Sequence, residues 1–231
     1  MAQKIQLEVI KKEKMTDKVY FVTFRLVSPI EFSFKAGQNM MLMVAPGINR
    51  TMSIASSPTE KDILMVHDVS PMGPGSLWTE KLSIGDRAFV VAPTGGALTF
   101  VESQRKKVMV ATGTGIAPFH SMIVDYVACN KEAALSLYWG LRYEKDIYWK
   151  EEFDTIASLH PHFSWRVMLS KPSMQWRGLT GHVTEYVLQA ETDIQHSEFY
   201  LCGNKGMIEE MRSTLIERGA LVEQIKTELF Y

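Results

Sequence analysis

The sequence has few cysteines and no long apolar run, and both absences exclude whole classes of protein. Two cysteines in 231 residues are too few for a disulfide framework. They are also too few for an iron–sulfur cluster held by the chain itself, which needs about four thiolates. No segment is long and apolar enough to span a bilayer, and the N-terminus lacks the apolar core of a signal peptide. We therefore expect a cytoplasmic protein without a membrane partner.

The chain also lacks an excess of charge of either sign. It carries 25 Lys and Arg against 26 Asp and Glu, with no block of like charge. Nucleic-acid-binding proteins usually show a basic patch or stripe, so we expect no nucleic-acid partner. His160 and His162 flank a proline without an accompanying cysteine or acidic cluster, which indicates a polar loop rather than a metal site.

The pattern of predicted secondary structure changes near residues 101–106. Residues 1–101 contain six short β-prone segments separated by Pro and Gly turns, which predicts a six-stranded antiparallel β-barrel. Residues 106–231 alternate short apolar segments with helical patterns, which predicts an α/β domain with a doubly wound parallel sheet. The predicted strands are 6–10, 19–27, 39–44, 51–56, 63–69, 87–92, 107–111, 135–140, 164–169, 198–202 and 224–230. The predicted helices are 77–82, 116–129, 147–159, 183–190 and 205–218.

A strand, a tight turn and a helix follow one another directly in the stretch 110–119, which reads VATGTGIAPF. Gly113 and Gly115 allow a sharp turn and the close approach of a ligand. The N-terminal end of the following helix favours an anionic group. The stretch therefore predicts a phosphate corner, although alone it is equally typical of an ordinary glycine turn.

The segment 50–56, RTMSIAS, places a cation and small hydroxyl groups on one predicted strand. This combination suits a phosphate and the polar edge of a ring. Taken alone, however, the segment favours an ordinary half-exposed barrel strand with ordinary serines.

Four motifs in order resemble signatures of the ferredoxin–NADP reductase family of FAD- and NAD(P)-binding oxidoreductases. They are RTMSIAS at 50–56, GPGS at 73–76, GTGIAP at 113–118 and CGNKGM at 202–207. The motifs span residues 50–207, and the order of barrel and sheet extends the resemblance to the whole chain. The chain resembles stand-alone reductases that have no ferredoxin domain. The resemblance implies FAD bound by the barrel and NADPH or NADH bound by the α/β domain.

The resemblance implies a flavin site within the first two motifs. Arg50 would hold the FAD pyrophosphate, and Ser53 would hydrogen-bond the edge of the isoalloxazine. Met52 departs from the family, because the signature has an aromatic residue there; its thioether can still cover the ring. The remaining flavin-site residues implied by these motifs are Thr51, Gly73, Gly75 and Ser76.

The other two motifs imply a nucleotide site. Thr114 would lie by the nicotinamide, between the glycines 113 and 115 that shape the cofactor path. Cys202 would lie where nicotinamide meets flavin, and Gly203 would leave room for the ring. Without the motif, Cys202 is simply a small buried residue that ends a strand.

The C-terminus resembles the terminal E-x-aromatic of the family, with one residue added. The resemblance implies that Phe230 or Tyr231 stacks on the flavin and is displaced by nicotinamide. Glu228 would support Ser53 and Cys202 or relay a proton. The alternative is that the two aromatic residues only close the core.

The choice between NADPH and NADH depends on groups that meet the 2′-phosphate. Ser170 and Lys171 resemble the Ser-Arg pair of phosphate-binding members, and Arg142 is a further candidate cation. Arg177 lies in a stretch that also resembles NADH-using members. The pattern favours NADPH slightly.

These expectations describe an FAD-dependent oxidoreductase that transfers hydride between NAD(P)H and FAD. It would pass electrons to or from a protein carrier such as ferredoxin or flavodoxin, or to an oxygenase component, and we expect a monomer. One alternative is an NAD(P)H flavin or ferric reductase that uses free flavin or iron chelates. Another is an electron-transfer subunit that tethers a larger complex.

Overall fold

The computed structural model describes residues 2–29, 31–129 and 131–229. The chain divides into two compact units, and it crosses between them three times. The first unit comprises Met1–Phe100 and Ala117–Ala128, and the second comprises Val101–Ile116 and Cys129–Tyr231. The sequence-based domain limits stay predictions. Their largest difference from these units is the helix at 117–128, which belongs with the first unit.

The first unit is built on one antiparallel six-stranded sheet. Its strands are β1 (Gln3–Lys14), β2 (Val19–Ser28), β3 (Asn39–Ala45), β4 (Ile48–Ser53), β5 (Ile63–Asp68) and β6 (Arg87–Ala92), and helix α1 (Pro74–Lys81) lies between β5 and β6 in the chain. The strand order is β4-β3-β6-β1-β2-β5. All described pairings are antiparallel, which confirms the predicted antiparallel barrel as a curled sheet.

Alternation along the strands explains why this sheet curls around a core. Ile5, Leu7 and Val9 of β1 are buried, whereas the residues between them are more exposed. Because successive side chains of a strand point to opposite faces, one face of β1 lines the core and the other faces solvent. Phe24 and Leu42, from β2 and β3, are fully buried in the same cluster.

The second unit contains a six-stranded parallel sheet. Its strands are β7 (Lys106–Thr112), β8 (Leu135–Leu141), β9 (Phe163–Leu169), β10 (Leu179–Thr180), β11 (Ser197–Gly203) and β12 (Ile225–Leu229). The strand order is β10-β9-β8-β7-β11-β12. Helices α3 (Lys150–Leu159), α4 (Val183–Ala190) and α5 (Lys205–Glu217) connect the strands, and α2 (Ile116–Ala128) starts at the boundary of this unit.

The central parallel strands β7, β8 and β11 are buried along almost their whole length, and in β11 every residue is buried. Continuous burial is typical of parallel strands covered on both faces, and it explains their unbroken apolar pattern in the sequence. The structure confirms the predicted doubly wound α/β fold. Among the described residues, no helix is long and apolar enough to cross a membrane.

Several element limits differ from prediction. Helix α1 begins at Pro74 rather than at residue 77, because proline suits the first turn of a helix, where its missing N–H has no intrahelical acceptor. Strand β4 ends at Ser53, before the predicted limit of 56. Strand β10 has two residues, too few to produce a sequence pattern. The predicted last strand reached residue 230, but Phe230 and Tyr231 lie outside the described residues.

Candidate functional site

The first four residues of the first motif lie on strand β4, which runs from exposed to buried positions in the first unit. Arg50 pairs with Leu42 in the register of β3, and Ser53 pairs with Asn39. Arg50 and Thr51 are exposed, whereas Met52 and Ser53 are buried. Met52 packs in the hydrophobic core of the sheet. The structure therefore gives Met52 a packing role, and its contact with a cofactor stays a prediction.

Helix α1 presents its N-terminal end without a side-chain cap. Gly73 is the N-cap residue, and among the described residues no side chain accepts a hydrogen bond there. The first helical bond runs from Leu77 N to Gly73 O, at 3.0 Å. The N–H groups of Gly75 and Ser76 therefore precede the helical ladder, and with the helix dipole they favour an anionic group.

Two nitrogen-bearing side chains converge on the start of α1. A Cβ atom built on Gly75 would lie 3.3 Å from Cγ of Arg50 and 3.4 Å from Cε1 of His67. His67 lies on β5, and its Nδ1 forms a 2.7 Å hydrogen bond with Oγ1 of Thr79. Burial lowers the pKa of His67, and the charge of Asp68 opposes this shift.

His67 is not among the site residues predicted from the sequence. A single histidine within an apolar strand carries no linear signal, and only the fold brings it to the corner that holds Gly75. The stem of Arg50 and the imidazole of His67 lie against Gly75, and the guanidinium of Arg50 donates to Asn49 O at 2.8 Å. An arginine, a helix N-terminus and an imidazole at one glycine match the chemistry that binds a diphosphate. The residues of this cradle therefore fit the pyrophosphate of FAD.

The second unit contains a different glycine corner, where β7 ends at Thr112. The next three residues, Gly113–Gly115, form a short 3-10 turn. Gly113 has φ +55, in the left-handed region that favours glycine. A Cβ on Gly115 would overlap the carbonyl of Cys202. The turn thus packs directly against the end of β11.

Gly203 completes this corner from the side of β11. Its φ is +135, and a Cβ there would overlap Oγ1 of Thr112. The backbone N–H of Asn204 donates to the same Oγ1 at 2.8 Å. The side chain of Asn204 then caps α5 by accepting from Gly206 N at 2.9 Å. The ends of β7 and β11, which carry the third and fourth motifs, are brought together in this way.

Cys202 is buried between two neighbouring strands. It lies opposite Ala111 of β7 and opposite Glu228 of β12. Burial, followed by the charge of Glu228, raises the pKa of the Cys202 thiol well above its ordinary value. The group is therefore a neutral thiol at pH 7 rather than a thiolate nucleophile. Cys202, Gly203 and Glu228 are thus neighbours in the second unit, while Ser53 belongs to the first.

The residues predicted to select the nucleotide also come together. Ser170 N donates to Leu141 O at 3.0 Å, and Lys171 N donates to Arg142 O at 2.9 Å. These bonds extend the pairing of β8 and β9, so the exposed Arg142, Ser170 and Lys171 follow adjacent strand ends. By contrast, the guanidinium of Arg177 donates to the carbonyls of Met174 and Trp176, within its own loop.

Comparison with known proteins agrees with both halves of this architecture. Residues 109–213 match the family described as Oxidoreductase NAD-binding domain. The chain is 30% identical over its whole length to the phenol hydroxylase P5 protein of Acinetobacter pittii strain PHEA-2, and it covers 66% of that protein. It is 26% identical to a Photobacterium leiognathi protein named "Probable flavin reductase", over 90% of this chain and 91% of that protein.

A solved structure extends the comparison to the fold. The ferredoxin NADP+ reductase of Neisseria gonorrhoeae with bound FAD and NADP aligns with a TM-score of 0.85 at 20% identity, and the alignment covers 100% of both chains. The chain spans about two thirds of the Acinetobacter protein and about half of several other curated relatives. The antiparallel sheet, the doubly wound parallel sheet, the NAD-binding match and these relatives place the chain in one family: it belongs to the ferredoxin–NADP reductase family of oxidoreductases.

Proposed function

We propose that this chain is an FAD-dependent oxidoreductase that transfers hydride between NAD(P)H and FAD and exchanges electrons with a further acceptor or donor. The observation that carries the proposal is the convergence of Arg50, His67 and the N-terminus of α1 on Gly75. Family membership and the NAD-binding match of residues 109–213 support the nucleotide half of the proposal.

In the first unit, the chain's own groups would bind and orient the flavin. Arg50 and the N–H groups at Gly75 and Ser76 would hold the pyrophosphate, with Gly73 keeping the approach open. Ser53 would hydrogen-bond the edge of the isoalloxazine, flanked by Thr51 and Met52. When bound, FAD supplies a ring that takes up two electrons as hydride and releases them singly.

In the second unit, the glycine corner would bind the nucleotide and exclude water from its ring. The turn of Gly113 and Gly115 leads into α2, whose N-terminus favours a phosphate, and Thr114 would lie by the nicotinamide. Cys202 would contact the nicotinamide as a neutral thiol, next to Gly203 at the end of β11.

Residues near the C-terminus are proposed to relay a proton and to stack on the flavin. Glu228 lies opposite Cys202 in the register and would support it or relay a proton. Stacking of Phe230 or Tyr231 on the flavin also stays a prediction.

The nucleotide is proposed to be NADPH rather than NADH. Arg142, Ser170 and Lys171 follow adjacent strand ends, and an arrangement of two cations and a hydroxyl suits a 2′-phosphate. The acceptor is proposed to be a one-electron protein carrier such as ferredoxin or flavodoxin, or an oxygenase component. The similarity to a phenol hydroxylase component supports this proposal. We further propose that the protein is cytoplasmic and monomeric. Light scattering after size-exclusion chromatography would test the monomeric state.

A second candidate is an NAD(P)H flavin or ferric reductase. The similarity to the Photobacterium protein named "Probable flavin reductase", over 90% of this chain and 91% of that protein, favours this candidate. A third candidate, an electron-transfer subunit of a larger oxidoreductase, would use the same two units.

Anaerobic stopped-flow absorbance tests the proposal directly. The purified protein, reconstituted with FAD, is mixed separately with NADPH and NADH. We expect bleaching of the oxidised flavin spectrum, faster with NADPH. Bound FAD that neither nucleotide bleaches would contradict the proposed hydride transfer. Prompt reduction of added FMN, riboflavin or ferric citrate without a protein partner would favour the second candidate.

A further inference from the structure

His67 is held in one orientation along a single face of α1. Gly75 and Thr79 are four residues apart, so they lie on the same helix face. The imidazole bridges them: Nδ1 bonds Oγ1 of Thr79 at 2.7 Å, while Nε2 lies 3.8 Å from the position of a Cβ on Gly75. The Cε1–Nε2 edge of the ring therefore lies beside the first turn of the helix, the end that favours anions.

The same space is shared with Arg50. Its Cγ lies 3.3 Å from the Cβ position on Gly75, and the Cε1 of His67 lies 3.4 Å from it. Two nitrogen-bearing side chains, from the two edge strands β4 and β5 of the sheet, thus approach one glycine that has no side chain of its own. An anion bound by the free N–H groups of the first turn of α1 would therefore lie beside the imidazole of His67, and the Arg50 side chain, which donates to Asn49 O, is long enough to turn toward it.

The groups that face His67 come from four elements. Asp68 follows it on β5, Tyr20 lies opposite it in the register of β2, Arg50 of β4 lies against the same Gly75, and α1 contributes the neutral hydroxyl of Thr79. Asp68 also interacts with Lys18, whose Nζ lies 3.9 Å away. Of these groups, His67 alone has an ordinary pKa near neutrality.

A bound anion is expected to change the protonation of the buried His67 ring. The pKa of His67 is lowered by burial, against the opposing charge of Asp68, so at pH 7 the ring is mostly neutral in the absence of an anion. A dianionic pyrophosphate beside Nε2 would stabilise the protonated ring and raise this pKa. Binding and proton uptake are then coupled.

We propose that His67 is a direct ligand of the FAD pyrophosphate and makes FAD affinity depend on pH. This inference rests on the proposed function, because it needs FAD in the cradle of the first unit. It adds a residue that the family signatures do not contain, and it predicts a property that Arg50 cannot supply, since a guanidinium does not titrate.

The direction in which the Kd of FAD changes with pH follows from this coupling of binding to proton uptake. Below both pKa values the ring is protonated before and after binding, and affinity is greatest. Above both it is neutral in both states, and affinity is least. Between them FAD binding takes up a proton, so the Kd rises as the pH rises. Each pKa unit of difference changes the Kd about tenfold.

The experiment measures the Kd of FAD for the apoprotein between pH 6 and pH 8 by quenching of flavin fluorescence. We expect the wild-type Kd to rise about tenfold over this range. His67→Gln retains an amide donor but does not titrate, and its Kd should stay level near the wild-type value at pH 8. His196→Gln is the matched control, because His196 is exposed beside Asp193 in the second unit. It should keep the wild-type slope.

A second measurement does not depend on the folding of a variant. The chain has six histidines, whose Cε1–H signals can be followed by proton NMR in the wild-type protein with and without FAD. We expect one signal to titrate at higher pH when FAD is bound.

A level wild-type Kd, an unchanged slope in His67→Gln, or no shifted signal would each overturn the inference while leaving the proposed function intact. A wild-type protein that binds no FAD at any of these pH values would instead overturn the proposed function.

Discussion

Each unit contains a glycine corner that opens a helix, but glycine is needed for different reasons at the two corners. At the start of α1, a Cβ on Gly75 would meet the flexible side chains of Arg50 and His67. After β7, a Cβ on Gly115 would overlap main-chain atoms of Cys202, and one on Gly203 would overlap Thr112. The first corner is bordered by side chains that can move, and the second by backbone that cannot.

The difference teaches that one sequence signal can serve binding or packing. Glycine next to side chains that can move allows a ligand to take their place, which is the role proposed for Gly75. Glycine next to a neighbouring strand lets two strand ends approach more closely than any other residue permits. Substitutions at the two corners should therefore have different effects. Those at the first corner should lower ligand affinity, and those at the second should lower stability.

The largest effect is expected for Gly203→Ala. Its φ of +135 is strained for alanine, and the new Cβ would overlap Thr112. The free energy of unfolding should fall by about 3 kcal/mol or more. Denaturant unfolding followed by circular dichroism measures this.

Gly47→Ala is the matched control for that loss. Gly47 also has a positive φ, of +75, but nothing lies within 4 Å of its Cβ position. It should lose only about 1 kcal/mol. Equal losses in the two variants would show that backbone strain alone, rather than close strand packing, explains the glycine at 203.

Arg50→Ala should produce the next largest effect, on the ligand rather than on the fold. A hydrogen bond to a charged group contributes about 1.5–3 kcal/mol, so the Kd of FAD should rise roughly 10- to 100-fold. Fluorescence titration measures this, with Arg87→Ala as control, because Arg87 of the same unit pairs with Glu8 instead. A visible spectrum typical of bound flavin in the purified Arg50 variant would contradict the pyrophosphate role.

Cys202→Ala should separate catalysis from cofactor binding. Because the thiol is proposed to contact the nicotinamide, the rate of flavin reduction should fall about tenfold or more, while FAD affinity changes little. Stopped-flow absorbance and FAD titration give the two quantities, and Cys129→Ala, at an exposed cysteine, serves as control. If both quantities fall together, misfolding rather than a lost contact explains the variant.

The smallest effect is expected for Gly75→Ala. The new methyl group would meet side chains that can shift by a few tenths of an ångström, so the free energy of unfolding should change by no more than about 1 kcal/mol. FAD affinity should still fall, by roughly three- to tenfold, because the methyl group occupies space beside Arg50 and His67. A stability loss as large as that of Gly203→Ala would remove the distinction between the corners.

Much of this fold follows from sequence patterns because burial imposes them. Alternation in β1 and the continuous apolar run of β11 predict an antiparallel and a parallel strand respectively. The doubly wound topology then brings Cys202 beside Ala111 and Lys171 beside Arg142, since parallel strands end at the same edge.

Other features depend on distances in space that no linear pattern encodes. His67 and Gly75 are eight positions apart on a strand and a helix, and only the packing of α1 against β5 brings them together. Gly115 and Gly203 were predicted to serve a ligand, yet their main-chain contacts show that packing alone already requires glycine there. Sequence motifs identify such residues without distinguishing these reasons.

Helix α2 limits where the gene can be divided to separate the two units, because its residues 117–128 belong to the first unit. Ser121 Oγ donates to Ser56 O at 2.7 Å, and His120 Nδ1 donates to Ala55 O at 2.8 Å, both within the first unit. A gene fragment that stops at the linker near residue 101 would omit these donors and leave the carbonyls of two adjacent buried residues, Ala55 and Ser56, without these bonds. Residues 1–101 therefore do not contain all of the first unit. A fusion or domain exchange has to carry residues 117–128 with it.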